Sequence, residues 1–262
     1  MVHRLGPAPQ GEPRGRACYV RSMRWLSPLD DEPAASAWLA GPRVDGAIAR
    51  ASAAVLAARG GALRAHGLTH VLAELHGPSV ASHAVIDRSA FEGAPAPFDE
   101  VLAALTHARS FGLAPIVLSR VGRSNARVLR ELGALVRRLG AVRWILLLPW
   151  HPPALVPPQL PRAALSMPFA LEAAKRTTDA GTPSVLVGAP LCLVGPLGAL
   201  AAPRRGAEGG PCDGCAARSR CGGLGAGYSD LFGHAELRAL TSPPTLASDP
   251  LTELVLSGLP PA

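Results

Sequence analysis

Residues 143–148 read Arg-Trp-Ile-Leu-Leu-Leu, six residues whose only charge stands at the first position. A near-continuous apolar run this short, set between Gly140 and Pro149, is the pattern of a strand buried on both faces of a parallel sheet. Just upstream, Ser124 is placed to cap a helix over residues 125–139. Its apolar positions Val128, Leu129, Leu132, Leu135, Val136 and Leu139 share one face, and Gly140 ends it. Residues 115–119 (PIVLS) read as the strand before that helix, and residues 98–111 as the helix before that strand, with Val101, Leu102, Leu105, Ala108 and Phe111 in one stripe. Residues 70–75 (HVLAEL) give another strand, ending at Gly77-Pro78, and the alanine-rich residues 47–66 read as a helix. Downstream, residues 149–162 form a proline-rich loop, 169–180 a helix and 184–187 a strand.

Repeated strand–loop–helix units predict a parallel α/β sheet, open or closed into a barrel. Ligands in such folds sit at the carboxyl ends of the strands, where His76-Gly77, Ser119-Arg120, Pro149-Trp150 and Gly188 fall. The chain has 262 residues, 48% of them hydrophobic, enough for one sizeable core. Its formal charge is +7, yet 25 of the 26 basic residues are arginine and Lys175 is the only lysine. With alanine, glycine and proline abundant as well, the charge reads as compositional bias, and no nucleic-acid partner is expected. The uncharged residues 183–203 carry Pro190 and Pro196, which suits a buried strand and a tight loop and not a membrane span. No membrane association and a cytoplasmic location are expected, since residues 1–16 lack a signal-peptide core.

The most specific chemical signal lies near the C-terminus. Cys212-Asp213-Gly214-Cys215 is followed by Cys221, with Cys192 upstream and Cys18 far apart. Four thiolates complete the ligand set of a [4Fe–4S] cluster or of a tetrahedral zinc site, and spacing alone does not choose between them. Gly210, Gly214, Gly222 and Gly223 let the backbone wrap closely. Unligated thiols, or a redox disulfide within the CxxC, are the competing readings. The eight histidines are scattered, and there is no GxSxG, no Walker loop and no dinucleotide-binding glycine fingerprint.

Several separate pieces, in their order and spacing over residues 11–240, resemble the radical S-adenosylmethionine (SAM) enzymes that carry an auxiliary cluster region of the SPASM or twitch type. Gly11-Glu12-Pro13 is similar to the end of the family's GGEP motif, and Leu75-His76-Gly77 to its SLHG strand end. Residues 83–98 resemble the loop that follows, and Arg123-Ser124-Asn125 the RSN turn. Pro190-Leu191-Cys192 and the cysteine group, trailed by Tyr228, Phe232-Gly233 and Glu236-Leu237-Arg238, resemble the C-terminal cluster region.

The resemblance implies a partial (β/α) barrel of radical SAM type with its first strand missing and a cysteine-rich cluster-binding extension. The boundaries expected are a partly irregular N-terminal segment at 1–40, the α/β core at 41–190, the auxiliary region at 191–240 and a tail at 241–262. It implies an auxiliary [4Fe–4S] cluster on Cys192, Cys212, Cys215 and Cys221. It points to Glu12 for the SAM amino group and to His76, Ser124 and Asn125 near the ribose and carboxylate. For Ser124 helix capping is the favoured reading, and His76 has the competing role of satisfying a strand-end backbone group.

Two departures bear on the chemistry. The CxxxCxxC motif that leaves one iron open for SAM is absent, since only Cys18 precedes Cys192; the missing portion would lie before residue 11, so a late start is expected. Gly225 stands where the SPASM pattern has a further cysteine, which leaves ligands for one cluster. The expectation is therefore a radical-SAM-like iron–sulfur protein tied to radical modification of a peptide or small metabolite, incomplete for SAM cleavage by itself. The alternative is a non-catalytic partner of a complete radical enzyme, holding a structural zinc or cluster. A sheet edge left bare by a missing strand needs cover, and residues 17–26 (ACYVRSMRWL) are the candidate.

Overall fold

Seven parallel strands pair strictly in sequence order in the computed structural model, which describes residues 23–84, 96–148, 160–202, 212–224, 226–247 and 250–257. They are β1 (Arg24–Trp25), β2 (Ala47–Ala49), β3 (Leu68–Glu74), β4 (Ala114–Arg120), β5 (Arg143–Leu147), β6 (Ser184–Val187) and β7 (Ala201–Ala202). Sequential parallel pairing without a reversal is the winding of a barrel, not of a doubly wound sheet. The sheet curls as a half-barrel with helices on it, a partial α/β barrel. β1 lies on the edge beside β2, with Arg24 opposite Ala47, so part of residues 17–26 does extend the sheet.

The helices are α1 (Glu32–Leu39), α2 (Ala53–His66), α3 (Val80–Ala84), α4 (Phe98–Ser110), α5 (Leu129–Arg138), α6 (Ala163–Asp179), α7 (Leu191–Val194), α8 (Ala226–Phe232) and α9 (Pro250–Ser257). Strand parity divides the core. Ala47, Ala49 and Val71 pack with α1 and α2, while Val117, Trp144, Leu146 and Leu186 pack with α4, α5 and α6. The alternate positions Ile48, Leu72, Ile116, Leu118, Ile145, Val185, Val187 and Ala202 line the inner face. Val255 of α9, fully buried, packs there with Leu251 and Leu254, so the segment read as a tail carries the helix that covers this face.

Three expectations need correction. Residues 47–49 are a strand, not the start of a helix; Ser52 caps α2 by accepting from the Val55 N–H at 3.3 Å, and the alanine-rich composition hid the boundary. Gly60 sits inside α2 where the Phe111 ring packs in the place a side chain would take. Ser124 is exposed and caps no helix: a 3-10 turn over Ala126–Val128 comes first, with Asn125 at its cap position and no side-chain cap bond. The helix expected from residue 169 begins at Ala163 and runs through Pro168.

Candidate functional site

The four cysteines expected to act together line one small cavity, floored by Pro190, Leu191 and Ala217 and rimmed by Arg218, Leu237 and Arg238. Cys192 arrives on α7, directly after β6, because Pro190 at its N-cap turns the chain at the strand end. Cys212 and Cys215 sit on a tight turn, with the Cys215 N–H donating to the Cys212 carbonyl at 3.1 Å and Gly214 at φ +78°, where a Cβ would strain the backbone. Cys221 is brought in by a second close approach. A Cβ on Gly222 would meet the Cα of Gly188, at the end of β6, at 2.9 Å.

The sulfurs also receive backbone donors. The Leu191 and Gly223 N–H groups both donate to Cys221 Sγ at 3.3 Å, and the Leu240 N–H donates to Cys215 Sγ at 3.3 Å. The Ala216 N–H in turn donates to the Leu240 carbonyl at 2.9 Å, clamping the two segments together. All four are free cysteines, with Cys221 buried and the others half-buried. Burial pushes the Cys192 and Cys212 thiols up, and the neighbouring cysteines push the same way. Several thiolates crowded together thus need a cation to stay deprotonated. Among the described residues no group of three or more His, Cys, Asp or Glu is placed to hold a metal ion.

No protein-family model matches this chain, and no curated protein matches it.

A second cluster lies at the carboxyl ends of β3 and β4. His76 is fully buried; its Nδ1 accepts the Arg120 N–H at 3.2 Å, which puts the ring proton on Nε2, 3.6 Å from Glu74 Oε2. The His76 N–H donates to Nδ1 of His83, whose ring stacks on it with centroids 5.4 Å apart. Asn125, also fully buried, donates to the carbonyls of His76 at 2.7 Å and Arg120 at 2.8 Å and accepts the Gly122 N–H at 2.8 Å. His76 and Asn125 are thus brought together, Ser124 is on the surface beside them, and Glu12 and Cys18 lie outside the described residues.

Glu74 gathers charges that sequence reading did not single out as a site. It accepts from Arg50 Nη2 at 2.5 Å and from Arg120 Nε at 3.4 Å. Burial alone would raise its carboxyl, but the bond from His76 and the charges of Arg120 and Arg50 outweigh it and hold it down to about 2. The available signal was parity: Arg50, Glu74 and Arg120 each put a charge on the inward register of an otherwise apolar strand end.

Proposed function

We propose that the chain is a radical-SAM-like protein whose C-terminal region holds a single metal–thiolate centre, an auxiliary [4Fe–4S] cluster on Cys192, Cys212, Cys215 and Cys221. The observation that supports it best is the convergence of four cysteines from two separate segments on one cavity with N–H donors aimed at the sulfurs. A cluster held by four thiolates has no open iron, so it stores or relays an electron and does not bind SAM through the metal. The chain's own part is to hold the ligands: Pro190 turns Cys192 inward, Gly214 lets Cys212 and Cys215 face one centre, and the Leu191 and Gly223 N–H groups stabilise the Cys221 thiolate.

By the same resemblance the protein serves radical modification of a peptide or small metabolite, with Glu12, His76, Ser124 and Asn125 as the SAM contacts. The deciding experiment is iron, zinc and acid-labile sulfide content after anaerobic purification, with Cys215→Ala alongside. About four irons with matching sulfide, lost in the variant, support the reading. About one zinc without sulfide replaces it with a structural site in a partner protein. Absence of any metal removes it.

A further inference from the structure

Arg50, at the end of β2, presents a half-used edge. Its Nη2 donates to Glu74, while Nε, the donor beside it on the same side of the guanidinium, is buried with no hydrogen-bond partner among the described residues. A guanidinium edge with both donors aligned is the geometry that takes a carboxylate or phosphate through two parallel bonds, and a single glutamate oxygen satisfies half of it. Arg120, on β4, comes to the other oxygen of the same glutamate. Two guanidiniums therefore share one carboxylate at the carboxyl ends of parallel strands, the end of the sheet where α/β folds bind ligands. The Arg50 side chain keeps 33% of its surface exposed and Arg120 26%, while Arg50 Nε itself is buried, so an entering oxyanion has to move Glu74 aside to reach it. Asp30 lies near Arg50 but is largely exposed and makes no hydrogen bond to it among those described.

We propose that Arg50 and Arg120 form a receptor for the oxyanion group, carboxylate or phosphate, of a small ligand, with Glu74 as the internal group that it displaces. This site is separate from the cysteine cavity and does not depend on the metal. Binding exchanges one salt-bridged carboxylate for another oxyanion, which engages Arg50 through Nη2 and Nε together, and no bond is made or broken.

The test is isothermal titration of the whole chain with inorganic phosphate and with succinate, each against sodium chloride at equal ionic strength. Saturable binding of either probe is expected, and the probe that binds tells phosphate from carboxylate. Arg50→Met and Arg120→Met should each weaken it by about tenfold or more, as for loss of one partner of a charged pair. Glu74→Gln, which removes the internal competitor, should tighten it several-fold. Arg50→Lys keeps the charge but not the edge, so it should fold and still bind more weakly than the parent. No saturable binding in either the parent or Glu74→Gln overturns the proposal. Binding that survives unchanged in a folded Arg50→Met or Arg50→Lys overturns it as well.

Discussion

The Tyr228 hydroxyl donates to Glu236 at 2.6 Å and accepts the Ala163 N–H at 2.7 Å, so one phenol ties the cysteine-bearing region to the first turn of α6. Glu236 also takes the Ala164 N–H at 3.1 Å. Together the two side chains satisfy orphan donors that open any helix, and the carboxylate suits the positive end of the helix dipole. Tyr228→Phe strands a buried N–H and removes a charged hydrogen bond, which costs about 1–3 kcal/mol. Urea unfolding should show that loss as a lower midpoint, and an unchanged midpoint would mean that the phenol is replaceable by water.

Gly222 is the point of closest approach between the cysteine segment and the sheet. Adding a methyl there pushes against the backbone of Gly188, which has no side chain to move aside. In the proposed metal–thiolate centre, Gly222→Ala should therefore weaken metal retention while the far-UV circular dichroism of the barrel stays the same. Retention equal to the parent under chelator challenge would show that Cys221 reaches the centre without that approach.

Acid should destabilise the fold in two separable steps. Burial, and then the charge of Arg64, lower His70 from 6.5 to about 4, so it is neutral in the fold. Between those values the unfolded chain binds a proton that the folded one does not, and stability falls as pH drops from 6.5 toward 4. Glu74, lowered from 4.5 to about 2, adds a second fall from 4.5 toward 2. Each step is worth at most roughly 3 kcal/mol. His70→Gln should flatten the upper step and Glu74→Gln the lower one in urea midpoints measured from pH 7 to 3. A profile that neither variant changes counts against both assignments.

Trp144 is fully buried, and its Nε1–H donates to Ser119 Oγ at 2.8 Å. Ser119 in turn donates to the Leu75 carbonyl, so one hydroxyl links β5, β4 and the end of β3. Ser119→Ala leaves the indole donor without its acceptor and should cost about 1–3 kcal/mol. Urea unfolding followed by the summed emission of the four tryptophans gives the midpoint; a value equal to the parent's would show that the indole finds another acceptor.

The strands at 115–119 and 143–148 were legible because long branched and aliphatic side chains alternate over two buried faces. Ala47-Ile48-Ala49 was not, since one isoleucine between two alanines inside an alanine-rich stretch suits helix and strand alike. The start of α6 was hidden for another reason. Pro168 reads as a boundary, yet the turn before it is held by Tyr228 and Glu236, more than sixty positions away in the chain. The cysteines announced themselves as donors, but their meeting depends on where β6 ends. Arg50, Glu74 and Arg120 escaped notice as a group because each is a single charge at the end of a separate strand, and only the register of three neighbouring strands gathers them.

Strands that pair in order let each new strand dock on the one made just before it, and every such step is local. The inner face is different. Among the described residues its apolar lining is covered by α9, which packs against β1, so the first and last described elements meet. A trough sealed by a helix that lies far along the chain from its edge strand closes through a long-range contact, the kind that forms late in folding.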